Sequence, residues 1–327
     1  MIAERWLNLA VLAGLLGVAV WARIADQPFT ITLTTRAVIL ALAAVGLNIA
    51  LGLGGLVSLG HAVFFGLGGY AMGILAFHVQ TYTPLEIGPI SIAGSTSMPV
   101  IWLTAIALSS LAALGIGLLS LRTSGAYFIM ITLAFGQMFY YFAISWNRYG
   151  GEDGLSIYVR NGFPGLNTLI PFQFFGICFA LLCLVLLIGD RLARSPFGLA
   201  LNAARQVPVR VETVGLSPFR LKLVAFVISG AVTGLAGALF ADLNRFVSPT
   251  MFSWQLSGEL IVLVILGGVG RLIGPVVGAV LFVALEHLLG GLTDHWHVFL
   301  GLILLVIVLF ARGGIVGLLS RRRLGDG

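Results

Sequence analysis

Apolar residues in this chain are gathered into runs of bilayer length, with the polar residues collected between them. Runs at 6–25, 33–53, 57–79, 99–121, 125–146, 171–189 and 222–241 are near or above the ~20 residues a helix needs to cross the hydrocarbon core. Two shorter stretches follow at 257–271 and 275–290, then a last run at 296–312. The pattern predicts an all-α, polytopic membrane protein with 8–10 transmembrane helices, some short or broken. All eleven prolines (28, 84, 89, 99, 164, 171, 196, 208, 218, 249 and 275) fall at the ends of these runs or between them. That is the placement helices require, because an interior proline removes a hydrogen bond and clashes with the preceding turn. A β-barrel would need alternating segments of about ten residues. Stretches such as Leu181–Ile188 and Leu302–Phe310 are apolar on every side and exclude it. Trp6 and Trp21 bracket the first run as interfacial anchors, without a convincing small-x-small cleavage site. Residues 6–32 therefore read as a retained, peripheral first helix rather than a signal peptide.

Composition agrees with this picture. The chain is 59% apolar and 9% charged, with a mean hydropathy of +1.07, whereas a soluble domain carries about a quarter charged residues. The net charge of +6 would raise nucleic acid as a partner of a soluble protein. Here the basic residues lie between apolar runs, so membrane orientation explains them and no nucleic acid is expected. One side collects Arg5, Arg122, Arg191, Arg194, Arg205, Arg210, Arg220, Lys222, Arg271, Arg312 and Arg321 to Arg323. The other keeps Arg23, Arg36, Arg148, Arg160 and Arg245. Thirteen against five predicts a multi-pass protein with both termini and the 190–221 segment in the cytoplasm. The two cysteines, Cys178 and Cys183, share one apolar run and read as packing residues. No soluble domain is fused anywhere, so 1–327 reads as a single transmembrane domain in contact with membrane lipids.

Glycine is concentrated in two blocks, Gly46–Gly73 and Gly267–Gly278. Small residues four apart, as at Gly69–Gly73, Gly230–Gly234 and Gly270–Gly274–Gly278, let helix backbones touch. The cluster from Gly52 to Gly60, with Ser58 and His61 beside it, is denser than packing needs. It predicts a broken helix whose freed backbone lines an internal path. The two blocks belong to groups of passages five apart, 2–5 and 7–10, the arrangement of an inverted repeat.

The segment 190–221 is amphipathic. Ser195-Pro196 is a helix start, and short helices are expected near Gly198–Ala204 and Val209–Val214 with a stop at Gly215. Such a segment is either something a rigid partner grips or a surface loop held to lipid by its arginines. Outside, the loops 80–98 and 147–170 are rich in Gly, Pro, Ser and Thr. Arg148, Glu152, Asp153 and Arg160 make the second either a docking surface or a plain solvated loop.

Several motifs, in order along the chain, resemble the LivM-type permease subunits of branched-chain amino acid ABC importers. They are Leu47-Asn48, Gly54-Gly55-Leu56-Val57-Ser58-Leu59-Gly60-His61-Ala62-Val63-Phe64-Phe65-Gly66, Gly125-Ala126-Tyr127-Phe128 and Thr132-Leu133-Ala134-Phe135. Arg194-Ser195-Pro196-Phe197-Gly198, Ala225-Phe226-Val227-Ile228-Ser229, Leu266-Gly267-Gly268-Val269-Gly270 and Gly274-Pro275 continue the series. The likeness spans about 37–312. One departure is Val207-Pro208-Val209-Arg210-Val211, where family members usually carry Asn-Glu-Ile-Ala-Ala. It touches the detail of the ATPase contact and not its place.

The resemblance implies a permease subunit of a bacterial inner-membrane importer, moving branched-chain or related amino acids into the cytoplasm. Similar permeases carry urea, amides and aromatic acids. The implied partners are a second, LivH-like permease, two cytoplasmic LivG/LivF-like ATPases that hold ATP and Mg, and a periplasmic substrate-binding protein. The implied ATPase-coupling residues are Arg194, Ser195, Pro196, Phe197, Gly198, Asn202, Ala203, Ala204, Arg205, Arg210, Gly215 and Lys222. The expected path residues are Asn48, Gly54, Gly55, Ser58, Gly60, His61 and Phe65.

Independently of the resemblance, the chain holds one lysine, Lys222, outside any Gly-x-x-x-x-Gly-Lys-[Ser/Thr] context. A P-loop is therefore not expected, nor a cofactor or metal in this chain, and the ATPase engine must be another polypeptide. The alternative is an ion-coupled secondary transporter, which would use Glu259 or Glu286 as a relay; the same acids could cap or pair at helix ends. His61 is either a substrate contact or a donor to a neighbouring carbonyl. Asp190 and Asp242 are expected at solvated helix ends. An intramembrane enzyme would have only Asp294, His295 and His297 to draw on, in a short turn around Trp296.

Overall fold

The computed structural model describes residues 2–87, 90–291, 295, 298–303, 305 and 314. Most of the run expected at 296–312, the basic residues Arg312 and Arg321 to Arg323, and Asp294, Trp296 and His297 lie outside the described residues, as do the side chains of Arg5 and Trp6. Helix α1 (Ile2–Ile24) lies at the edge, against α2 (Pro28–Asn48) and α6 (Pro171–Arg194). Helix α2 is the axis of the molecule. A π-turn, Ile49–Leu53, extends it, and every residue from Ala37 to Asn48 is buried. A helix apolar on all sides is one surrounded by other helices. Here the surround is α9 (Pro218–Asn244), α11 (Gly274–Gly290), α6 and α10 (Trp254–Gly267).

A tight layer of α3 (His61–Gln80), α4 (Met98–Ser120) and α9 adjoins it, whereas α5 (Ala126–Ser145) is covered along one stripe, Phe128, Thr132, Gly136 and Ala143. Short helices α7 (Pro196–Gln206) and α8 (Pro208–Thr213) join α6 to α9. Prolines fix most starts: α2, α4, α6, α7, α8, α9 and α11 each carry one within their first two positions. There the missing N–H has no helical partner to lose. Among the described residues six helices are long and apolar enough to cross a membrane, with three shorter apolar ones, Asn8–Ile24, Trp254–Gly267 and Gly274–Gly290.

The expected close approach of helix backbones at the glycines holds for Gly234, against the Ala105 carbonyl, and for Gly278, against that of Leu263. Gly69 meets the Met251 side chain first and the Gly237 carbonyl at 3.5 Å, while Gly73 meets the side chains of Val247 and Leu155. For α3 the close helix contact is one register away: a Cβ on Gly68 would overlap the carbonyl of Gly234, and one on Gly237 would overlap that of Phe65. Gly230 and Gly234 also receive Ala113 and Ser109 of α4. Two small sheets were not foreseen. β1 (Leu85–Ile87) pairs with β2 (Ile90–Ile92), and β3 (Leu155–Ser156) with β4 (Phe246–Val247). Strands of two or three residues carry no readable periodicity.

The α3–α9 contact gives a direct test. Gly237→Val should lower the melting temperature of the detergent-solubilised chain, a loss of about 1–3 kcal/mol by overpacking. Gly176→Ala, where a Cβ meets nothing within 4 Å, should leave it unchanged or raise it.

Candidate coupling and translocation site

The break after α2 is where the chain brings three segments together. The π-turn ends at Gly54, and Gly55 takes φ +69°, a left-handed value that glycine adopts freely. The N–H of Leu56 then turns back to the carbonyl of Ala50 at 3.0 Å, and that of Gly55 to Leu51 at 3.1 Å. From Leu53 to Gly60 the side chains alternate outward and inward, the period of an extended chain. Gly55 and Val57 are exposed and Leu53 and Leu59 half-buried; Gly54, Leu56, Ser58 and Gly60 are buried.

Asn48 clasps this break to the second glycine block. Its Nδ2 donates to the carbonyl of Arg271 at 2.9 Å, and its Oδ1 accepts from the N–H of Gly270 at 3.0 Å. A Cβ on Gly52 would strike the Asn48 side-chain oxygen and lie 2.8 Å from the backbone of Gly270, so the two turns pack closely around Asn48. Both glycine blocks therefore sit at the C-terminal ends of the helices leading into them. The meeting point follows about 39 Å of helix, 26 residues at 1.5 Å each.

The coupling segment reaches the same place. Ser195 caps α7 by accepting from the Gly198 N–H at 3.2 Å and donates its own hydroxyl to the Leu192 carbonyl at 2.7 Å. A Cβ on Gly198 would strike the Leu192 and Ala193 carbonyls, so glycine is needed for the sharp entry from α6. Gly198, Leu201 and Ala204 of α7 and Val211 of α8 face the bundle. Across α7 and α8, Arg194, Asn202, Ala203, Arg205 and Arg210 are exposed, with Gly215 closing α8 at φ +83°. Phe197 and Lys222 are half-buried. Arg194 pairs with Asp190 at 2.9 Å one helical turn away, an exposed contact of about 0.3–0.5 kcal/mol.

Arg205 departs from its neighbours: its Nη1 donates to the Gly52 carbonyl, and its stem packs on Gly55. Between α7 and α8 lies an open concavity of about 480 Å³, lined among others by Leu199, Val207, Val214 and Leu216, with Arg210 at its edge.

Of the seven expected path residues, only Gly55 faces outward. His61 is fully buried; its Nε2 donates to the Ser229 hydroxyl at 2.7 Å, which in turn donates to the Gly46 carbonyl at 2.6 Å. It thus reaches a carbonyl through a serine rather than directly. Phe65 is buried with its ring 5.3 Å from that of Phe240. Ser58 holds the Gly60 N–H at 3.3 Å, and Gly60 abuts the Thr132 carbonyl of α5. These residues brace the break from behind. Ser257 adds to the brace by accepting the Ala62 N–H at 2.9 Å. Ser229 and Ser257 were not singled out from the sequence; a lone hydroxyl in an apolar run was the available signal.

The outer loop also divides. Arg148, Glu152 and Asp153 are exposed. Arg160 instead turns inward, over the Phe174 ring at 4.8 Å and donating to the Asp242 carbonyl at 3.4 Å. Burial lowers the pKa of its guanidinium, and the neighbouring Asp242 carboxylate opposes that shift. Asp242 is buried rather than solvated, and its Oδ1 accepts from Asn161 at 3.0 Å. A buried carboxylate needs such partners, and they draw Arg160 and Asn161 off the surface. Of the two membrane acids, Glu286 pairs with Arg36 at 2.9 Å, and Glu259 lies exposed on α10.

Known proteins are similar to this chain in sequence. A family model described as branched-chain amino acid transport system / permease component matches residues 29–309. The high-affinity branched-chain amino acid transport system permease protein LivM of Escherichia coli is 29% identical over 311 residues, 88% of this chain and 70% of the relative. A probable branched-chain amino acid transport permease protein LivH of Methanocaldococcus jannaschii is 30% identical over 127 residues, 36% of this chain and 38% of the relative. The autoinducer 2 import system permease protein LsrC of Photorhabdus laumondii is 29% identical over 146 residues, 40% of this chain and 41% of the relative. No solved structure matches. The family match runs from the second residue of α2 past the end of α11, and the chain belongs to the branched-chain amino acid transport system permease family, as a multi-pass permease subunit of an ABC importer and not an enzyme.

Proposed function

We propose that this subunit moves branched-chain or related amino acids across a bacterial inner membrane, with both termini and α7–α8 on the cytoplasmic side. One observation carries the reading: Arg205, on the helix a partner would grip, is bonded to the backbone carbonyl at the break. ATP and Mg act in two cytoplasmic ATPases, which seat in the α7–α8 concavity against Leu199, Val214 and Leu216. Any displacement of α7 is then passed to Gly52, and through Asn48 to Gly270 and Arg271. The outward strip Leu53, Gly55, Val57 and Leu59 forms one wall of the path. It is apolar and offers weak contact to an aliphatic solute, as suits a permease whose selectivity resides in a periplasmic binding protein. The second permease covers α5, the least enclosed span, where Tyr127, Met130, Tyr141 and Phe142 are exposed.

Arg205→Glu should insert normally, as judged by membrane fractionation, yet lower ATP-driven leucine uptake in reconstituted vesicles about tenfold or more. A charge-assisted hydrogen bond of about 1.5–3 kcal/mol is lost and like charge is set against the carbonyl. Wild-type uptake in that variant would remove α7 as the coupling element, and uptake by the purified chain alone under an ion gradient would favour secondary transport.

The exposed acids of the outer loop predict a charge-dependent docking step. Glu152→Lys with Asp153→Lys should raise, several-fold, the binding-protein concentration needed for half-maximal uptake, an effect that shrinks as salt screens it. A salt-independent result would assign the loop no docking role.

A further inference from the structure

Two neighbouring cavities outside the coupling site make up a crevice, one part between α1, α2 and α11 and the other between α2, α9 and α11. The deeper, of about 440 Å³, is an aliphatic slot walled by Val11, Leu15 and Val18 of α1 and Val277, Val280 and Leu281 of α11. Its one hydroxyl, on Thr34, is already donated to the Thr30 carbonyl at 2.7 Å. The outer cavity, of about 480 Å³, shares Leu33 and Val283 with the slot and contains Arg36, Glu286 and His287. Phe29 and His287, with rings 5.4 Å apart, wall its mouth. From Glu286 back to Val277 the crevice follows about 14 Å of helix rise, nine residues at 1.5 Å each, deeper than a free amino acid requires.

Its polar end is a matched pair of charges. Arg36 Nη2 and Glu286 Oε1 lie 2.9 Å apart, and the described contacts engage no other nitrogen of Arg36. Glu286 Oε2 is buried and has no hydrogen-bond partner among the described residues. A guanidinium with free N–H groups suits a phosphate, and an unsatisfied carboxylate oxygen suits an ammonium.

We propose that this crevice holds one phospholipid with a zwitterionic, primary-ammonium headgroup of the phosphatidylethanolamine class. The phosphate lies on Arg36, the ammonium on Glu286 Oε2, and an acyl chain fills the slot under α1. The lipid then mortars the peripheral helix to the axial α2, a role independent of which solute is carried.

The test is native mass spectrometry of the full chain in mild detergent, titrated separately with phosphatidylethanolamine, phosphatidylglycerol of the same acyl chains, and leucine. The expected result is one phosphatidylethanolamine retained per chain, in preference to phosphatidylglycerol. Glu286→Gln should weaken the first about tenfold and leave the second equal or stronger, since only the ammonium contact is lost. Gly14→Phe fills the slot where a Cβ meets nothing within 4 Å, and should abolish retention of both lipids while leaving the charged pair intact. Equal retention of the two lipids by the wild-type chain, or undiminished retention by Gly14→Phe, would overturn the proposal. So would leucine binding that Glu286→Gln abolishes while neither lipid is held.

Discussion

A helix that stops inside or at the edge of a bilayer exposes backbone groups with little water to take them, and this chain has two such stops in one place. The first turn ends α2 and the second joins α10 to α11. The second is held by the first through the single side chain of Asn48, which gives one bond to the Arg271 carbonyl and takes one from the Gly270 amide, while the first closes on its own helix carbonyls and on Arg205. The contact requires glycine at 52 because the opposing backbone occupies the space of a Cβ. Much of the molecule follows from that clasp. Helix α2 must be axial for its end to reach α10, and α10 and α11 must be short, since their connection is fixed at the end of a full-length span.

Coupling uses what the clasp leaves over. The Gly52 carbonyl accepts from Arg205, so a helix outside the bundle is tied to a turn inside it by a charge-assisted bond. The break itself is light on its outer face and braced behind, where His61, Ser229 and the Gly46 carbonyl form a relay of hydrogen bonds. Such a polar chain joins α3, α9 and α2 by directed bonds, although the Nδ1 of His61 has no hydrogen-bond partner among the described residues.

Charge was handled in three ways, and burial decides among them. On α6 the Arg194–Asp190 pair stays in the open, where it contributes little. At the end of α9 Arg160 and Asp242 are drawn together beneath the 147–170 loop, leaving Arg148, Glu152 and Asp153 as surface charges. At the crevice under α1 the Arg36–Glu286 pair stands at the head of an aliphatic slot.

The all-α membrane fold, the approximate limits of the described helices and the family were legible in the residues, because bilayer thickness fixes run length and proline cannot sit within a helix. The two glycine blocks and the Ser195–Gly198 start were equally readable, each being a local backbone requirement. What faced what was not. The path set followed a motif, yet in an extended stretch neighbouring residues point to opposite sides, and only the packing of α3 and α5 turned Gly55 out while Ser58, Gly60 and His61 went in. Arg160 and Arg148 look alike in a glycine-rich loop; the buried carboxylate of Asp242 pulls only the first inward. Composition alone determined that the chain lives in lipid. Tertiary structure decided which of its few polar groups bind one another, because those bonds join residues as far apart as Asn48 and Arg271, and no local pattern encodes such pairings.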